Sequence, residues 1–226
     1  MEGKYTAIVL GATGLIGKYL VKMLLEDPDY NKVIILVRRP VSYQSEKAEV
    51  VITDFSNPES YAHYIKGDHF FCCIGTTIKK AGSKEEFRAV DFTIPVKMAS
   101  LASSNGVSKF LVISSLGGNS DSGNFYLKTK GEMEAMIRKN HFRHIAILRP
   151  SLLLGDRDEV RTGESVAKYF MSFFKPFFLG SLKRFRPVHA ESVARAMKIL
   201  AKGDYNKQVF ESDEIEQLGK YFPPDK

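Results

Sequence analysis

The sequence predicts an α/β fold built on a doubly wound parallel sheet. Three observations predict it. Over the first two-thirds of the chain, apolar runs of strand length alternate with stretches whose apolar residues recur at helical spacing. The runs are apolar throughout rather than at every second residue, which is the pattern of strands covered on both faces. The first run also passes directly into Gly11-Ala12-Thr13-Gly14-Leu15-Ile16-Gly17, three glycines each separated by two residues. That spacing closes a tight turn between a strand and a helix and leaves backbone amides facing outward.

The elements follow in order. Tyr5–Leu10 reads as the first strand. From Gly14 to Glu26 the apolar residues Leu15, Tyr19, Leu20, Met23 and Leu24 form a helical stripe that Pro28 prevents from continuing. Lys32–Val37, Glu49–Ile52 and His69–Cys73 read as strands two to four. Ser83 caps a helix, with Glu86 three residues on. Pro95 marks a new helical start or a kink in a stretch that runs to about Ser104. Phe110–Ser114 is the fifth strand, Tyr126–Lys139 a helix and His144–Leu148 the sixth strand. Right-handed crossovers between such strands give the Rossmann arrangement. Beyond Pro150 come a polar loop from Gly155 to Gly163, an aromatic segment, a helix around Ala190–Ala201, a short strand near Gln208–Glu211 and a terminal helix. The expectation is a single domain over residues 1–226. Within it, 151–226 form a small C-terminal extension over the carboxyl edge of the sheet, acting as a substrate-side lid.

Bulk properties narrow the function classes. A chain of 226 residues with 44% hydrophobic content can bury a sizeable core. No apolar stretch approaches the roughly 18 residues of a membrane span, so no transmembrane segment is expected. Nor do Glu2, Gly3 and Lys4 begin a signal peptide. The net charge of +7 is spread among acidic residues rather than clustered, so no nucleic-acid partner is expected. The two cysteines, Cys72 and Cys73, are adjacent, a spacing that suits neither a relaxed disulfide nor a metal site. They read as buried thiols in a reducing, cytoplasmic compartment, with no metal.

The motifs carry the chemistry. Gly11 permits the turn, Gly14 lets a phosphate approach the backbone, and Gly17 lets helix pack on strand. With Ala12, Thr13, Leu15 and Ile16 they make a dinucleotide cradle. The second strand ends in Arg38-Arg39, where an acidic residue would receive the ribose 2′-hydroxyl of NAD. Arginine suits the 2′-phosphate of NADP instead; the alternative is a pair of solvated side chains. Asp54 and Phe55 follow the third strand, beside the adenine or in a plain turn. The fourth strand ends Cys73-Ile74-Gly75-Thr76, small residues over which a cofactor can lie.

Ser114-Ser115 end the fifth strand, and Tyr126 and Lys130 stand at i and i+4 on one helix face. An ammonium beside a phenol favours the phenolate. Tyr126 can then exchange a proton with a substrate oxygen that a serine hydroxyl holds.

The glycine run, Ser114-Ser115 and Tyr126–Lys130 together resemble the short-chain dehydrogenase/reductase superfamily. The stretches Phe71–Thr77, Lys80-Ala81-Gly82, Val90-Asp91, Lys130-Gly131-Glu132 with Glu134-Ala135, and Arg149-Pro150 leading to Asp156-Arg157 resemble its atypical branch, related to the Tat-interacting protein. The likeness runs from about residue 5 to residue 200. It implies a catalytic set of Ser115, Tyr126 and Lys130, with Ser115 preferred over Ser114. It also has Lys130 reach the nicotinamide ribose, and Pro150 and Ser151 flank the nicotinamide. The Asn-rich motif that many superfamily members carry after strand four is replaced here by Cys-Ile-Gly. The expected function is NADP(H)-dependent hydride transfer to or from a carbonyl or alcohol. Two alternatives stay open: an NADPH-binding regulator or sensor with little turnover, and an epimerase or dehydratase that retains its cofactor. The aromatic residues between 169 and 185 read as core, as an apolar substrate pocket, or as a patch covered by a second subunit in a homodimer.

Overall fold

A computed structural model describes residues 4–155 and 185–220. The loop from Asp156 to Gly163 and the aromatic segment up to residue 184 lie outside the described residues. The described chain forms β1 (Tyr5–Leu10), α1 (Leu15–Glu26), β2 (Tyr30–Val37), β3 (Ala48–Ile52), β4 (His69–Cys72), α2 (Ile78–Ala81), α3 (Lys84–Arg88) and α4 (Ile94–Ser104). It continues through β5 (Lys109–Ile113), α5 (Phe125–Ile137), β6 (His144–Arg149), β7 (Leu153–Leu154), β8 (Val188–His189), α6 (Ala190–Lys202), β9 (Val209–Glu211) and α7 (Ser212–Lys220). Seven strands pair in the order β3-β2-β1-β4-β5-β6-β9, every neighbour parallel. This is the doubly wound sheet that the alternation of periods predicts.

The period-two alternation of strand side chains divides the core. Ala7 and Val9 of β1 face α1 and α6, while Ile8 and Leu10 face α4 and α5. All four side chains are fully or almost fully buried, so neither face of the sheet tolerates a polar residue here. α6 is fixed against α1 by charge as well as packing. Asp27, just after α1, is met by Lys198 at 3.2 Å and Lys202 at 2.7 Å.

The C-terminal part divides its work. Its strand, β9, extends the sheet beside β6, and α6 covers one face of the sheet against α1. The small β7–β8 pair ties the stretch after β6 to the start of α6, and the Ser151 N–H donating to Ser212 Oγ at 2.7 Å ties it to the start of α7. The segment from Ser83 to Ser104 differs from a simple helix. Ser83 caps α3 by accepting from the Glu86 N–H, a π-helical turn over Ala89–Thr93 follows, and Pro95 then opens α4. Proline has no N–H to give, so it is tolerated only where a helix begins.

Candidate functional site

Strand order reverses between β1 and β4, and the chain leaves them in opposite directions at their carboxyl ends. A cleft of about 740 Å³ opens there. Its walls come from the β1–α1 turn, the segment after β4, the π turn, the ends of β5 and β6, and α5.

The turn is built by close approach. Gly11 adopts φ +88°, and a Cβ there would stand 2.6 Å from the Cys73 carbonyl carbon. A Cβ on Gly17 would stand 2.1 Å from the Gly11 oxygen, so helix and turn touch at backbone distance. Gly14 occupies the N-cap of α1 and no side chain caps that end. The first-turn amides are therefore without side-chain acceptors beside the cleft, an arrangement that receives a pyrophosphate. The first turn also carries no acidic side chain to compete. Thr13, Gly14, Leu15 and Ile16 line the cleft, while Ala12 is buried beneath it. The residues present fit a dinucleotide.

Cys73, Ile74, Gly75 and Thr76 line the cleft from β4. A Cβ on Gly75 would lie 3.4 Å from Asp91 Oδ1 and 3.9 Å from Lys130 Nζ, so the missing side chain leaves these two groups open to the cleft. Burial pushes the Cys72 thiol up to about 12, so it stays protonated behind this wall.

The opposite wall carries the chemistry. Asn124 Oδ1 accepts from the N–H groups of Tyr126 and Leu127, which fixes the start of α5 immediately before Tyr126. The Tyr126 ring packs 5.4 Å from the ring of fully buried Phe87. Lys130 follows on the same face, its Nζ 2.7 Å from Asp91 Oδ1, with the two side chains 5% and 1% exposed. Asp91 Oδ2 accepts from the Thr76 N–H at 2.8 Å. Oδ1 is left to the Lys130 ammonium, which it meets as a close buried ion pair. Burial works against the Lys130 charge, but the Asp91 carboxylate, assisted by Tyr126, outweighs it and holds the ammonium above the ordinary lysine range.

Ser114 and Ser115 both line the cleft. They differ in their commitments. Ser114 Oγ donates to Glu134 Oε1 at 2.5 Å, and Arg149 closes on the same carboxylate from Nε at 2.9 Å and Nη2 at 2.6 Å. The nearest acceptor of Ser115 Oγ is the Leu116 carbonyl at 3.5 Å, too long to hold it. The short connection from Ser115 to Tyr126 is accommodated at Gly131, where a Cβ would stand 2.2 Å from the Asn119 carbonyl carbon. Pro150 and Ser151 complete the cleft, with the Pro150 carbonyl accepting from the Leu116 N–H.

Thus Ser115, Tyr126 and Lys130 are brought together with Thr13–Ile16, Cys73–Thr76, Pro150 and Ser151. Arg38, Arg39, Asp54 and Phe55 are not on these walls. Arg38 and Arg39 are exposed at the end of β2 and, among the described residues, make no hydrogen bond or ion pair. The Asp54 carboxylate closes a turn by accepting from Ser56 N and Oγ. Phe55 adopts φ +65° and its ring is buried against Tyr61. Sequence reasoning quoted Asp91 only within a resemblance and gave it no role. Its sole local signal is a carboxylate inside an otherwise apolar helical stretch.

Comparison with known proteins agrees with this geometry. A family model described as NAD(P)H-binding matches residues 11–172. Protein HTATIP2 of Rattus norvegicus is 34% identical over 226 residues, covering 97% of this chain and 91% of the relative. Protein FMP52, mitochondrial, of Candida albicans is 34% identical over 196 residues, covering 84% and 85%. Among solved structures, the Bordetella bronchiseptica enzyme WbmH in complex with NAD+ superposes with a TM-score of 0.70 at 14% identity, covering 95% of this chain and 79% of that one. UDP-N-acetylglucosamine 4-epimerase from Methanobrevibacter ruminantium gives 0.68 at 17% identity, covering 92% and 76%. At that distance the two structures speak for the fold alone.

Proposed function

The chain belongs to the NAD(P)H-binding family, in the atypical short-chain dehydrogenase/reductase branch with Protein HTATIP2 and Protein FMP52, and from that premise we propose that it is an NADP(H)-dependent oxidoreductase acting on a carbonyl or alcohol. The observation that carries this reading is the placement of Ser115, Tyr126 and Lys130 in the cleft that the uncapped amino end of α1 also enters. When bound, the cofactor supplies or takes up the hydride. The rest is work for this chain's side chains.

Ser115, whose hydroxyl no protein acceptor holds closely, positions the substrate oxygen. Tyr126 exchanges a proton with that oxygen as charge develops on it. Lys130 lies one helical turn on, near Gly75, and would hold the ribose of the cofactor. Arg38 and Arg39, exposed at the end of β2, would receive the 2′-phosphate of NADP; paired guanidinium donors match a phosphate in both charge and shape. The substrate would be a small molecule held in the same cleft as Tyr126.

Tyr126→Phe tests the mechanism. NADPH affinity should stay within about twofold, and turnover across a panel of aldehydes and ketones should fall by at least about a hundredfold, the usual contribution of a positioned proton donor. Unchanged turnover would overturn the assignment. Tight NADPH binding with no turnover by the wild-type protein would favour a cofactor-dependent regulator instead.

A further inference from the structure

We propose that Glu134 is the positioning residue of the site: its buried carboxylate fastens the side of α5 that carries Tyr126 and Lys130 to the ends of β5 and β6, and so sets the places of Ser115, Lys130 and Pro150 around the nicotinamide half of the cofactor. The inference rests on the cleft being a dinucleotide-dependent site, and its test separates that reading from the role of Glu134.

Tyr126, Lys130 and Glu134 recur at every fourth residue of α5, so they lie along one side of the helix. The first two line the cleft. Glu134 stands one turn further on, and its side chain is 1% exposed. Its Oε1 accepts from Ser114 Oγ at 2.5 Å and from Arg149 Nε at 2.9 Å, and its Oε2 accepts from Arg149 Nη2 at 2.6 Å. Arg138, more exposed, lies 3.4 Å from Oε2 on the outer side. Helix α5 and two strand ends therefore meet on one carboxylate.

Each partner stands next to a residue of the site. Ser114 precedes Ser115, and Arg149 precedes Pro150. The two strand ends are already joined through the backbone. The Ser114 N–H donates to the Leu148 carbonyl at 2.8 Å, and the Leu116 N–H donates to the Pro150 carbonyl at 3.1 Å. The turn after Ser115 rests on the same carboxylate. A Cβ on Gly118 would stand 3.0 Å from Glu134 Oε1 and 3.2 Å from the Ser115 carbonyl oxygen. Glu134 is thus the fastening between α5 and a joined pair of strand ends.

Stability alone does not call for a charged fastening. Stripping water from a carboxylate and a guanidinium offsets most of their attraction, and apolar side chains of the same volume often hold a core equally well. The fork adds direction. Two parallel N–H···O bonds fix an angle as well as a distance, which an apolar contact does not. Placed one residue before Pro150 and one turn after Lys130, that direction serves the geometry of the cleft.

The experiment replaces the network as a whole. Ser114→Ala, Glu134→Met and Arg149→Met are combined in the full chain, which removes the hydroxyl, the carboxylate and the guanidinium together. Calorimetric titration then compares NADPH with adenosine 2′,5′-bisphosphate, which carries the adenine half and lacks the nicotinamide ribose. The variant should unfold at about the wild-type temperature, since an apolar trio replaces a buried polar one. Adenosine 2′,5′-bisphosphate should bind within about twofold of the wild type. NADPH should weaken by at least about fivefold more than this half-cofactor does, the scale of one charge-assisted hydrogen bond lost from the ribose. A merely structural role would weaken both ligands alike or neither.

A smaller difference between the two ligands would overturn the proposal. Should the triple variant not fold, Arg149→Lys takes its place, because an ammonium keeps the charge and loses the fork, and the same fivefold threshold decides. A wild-type protein that binds NADPH no better than adenosine 2′,5′-bisphosphate has no nicotinamide half to position, and overturns both readings. Turnover of the wild type with NADPH and a carbonyl panel separates the rest. The expected affinities without turnover refute the oxidoreductase reading alone. Turnover with an unmoved ratio of affinities refutes the role of Glu134 alone.

Discussion

Ser114 Oγ lies 2.5 Å from Glu134 Oε1, on a carboxylate that Arg149 also grips, directly beneath the loop that carries Ser115. Adjacent serines at one strand end thus have different tasks. One is anchored to the helix and strand beside it, and the other has no acceptor closer than 3.5 Å.

That difference predicts a split between two alanine variants. Ser115→Ala should lower kcat by at least about tenfold with little change in stability, since its hydroxyl makes no close protein contact. Ser114→Ala leaves the buried Glu134 short of a donor and should cost about 1–3 kcal/mol of stability. Urea unfolding and steady-state kinetics on both variants check this. The reverse pattern would exchange the roles.

Gly17→Ala tests the turn. The added methyl carbon would stand 2.1 Å from the Gly11 oxygen, a backbone atom that cannot move without opening the β1–α1 turn. Stability should fall by about 1–3 kcal/mol or more, and NADPH binding should weaken with it. Gly123→Ala is the control, because nothing lies within 4 Å of its new carbon. It should leave both thermal unfolding and cofactor affinity as they are.

The proposed preference for NADP rests on two exposed side chains at the end of β2. Arg38→Ala combined with Arg39→Ala should weaken NADPH about tenfold or more, the worth of charge-assisted hydrogen bonds to one phosphate, and leave NADH affinity nearly unchanged. Isothermal titration with both cofactors gives the ratio. Equal losses for NADPH and NADH would refute the assignment.

A pH dependence of stability is built at the other end of the sheet. His69 is buried, its Nδ1 2.9 Å from the hydroxyl of Tyr30, and burial holds its pKa down at about 4. Burial also raises Tyr30, so that hydroxyl keeps its proton beside the ring. The unfolded chain binds a proton on this histidine near pH 6.5 and the folded chain does not. Stability contributed here is therefore present above about pH 6.5 and is lost as pH falls towards 4, by roughly 3 kcal/mol in all. His69→Gln should flatten the denaturant-measured stability curve across that window relative to the wild type. Parallel curves would show that His69 does not titrate there.

The elements with strong local periodicity were legible in the chain. The six strands from Tyr5 to Leu148 and the helices at Leu15 and Phe125 stand where their apolar patterns place them, within a few residues. So did the cradle, because the glycine spacing and the close backbone contact of Gly11 with Gly17 are local. The i,i+4 pairing of Tyr126 with Lys130 needs only a helix. The π turn before Pro95 and the short β7–β8 pair left no periodic signal, since neither is long enough for a pattern to recur.

What periodicity and spacing could establish was the sheet, the dinucleotide cradle and the shared helix face of Tyr126 and Lys130, for each follows from contacts between near neighbours in the chain, while the catalytic set with Ser115 was what the family resemblance implied. Only the tertiary structure brought Asp91 to Lys130, Glu134 and Arg149 to Ser114, and β9 into the sheet beside β6. These pairings join segments that are distant in sequence. Their partners are chosen by crossover geometry and by the demand that every buried charge and hydroxyl find a complement, neither of which a local pattern records.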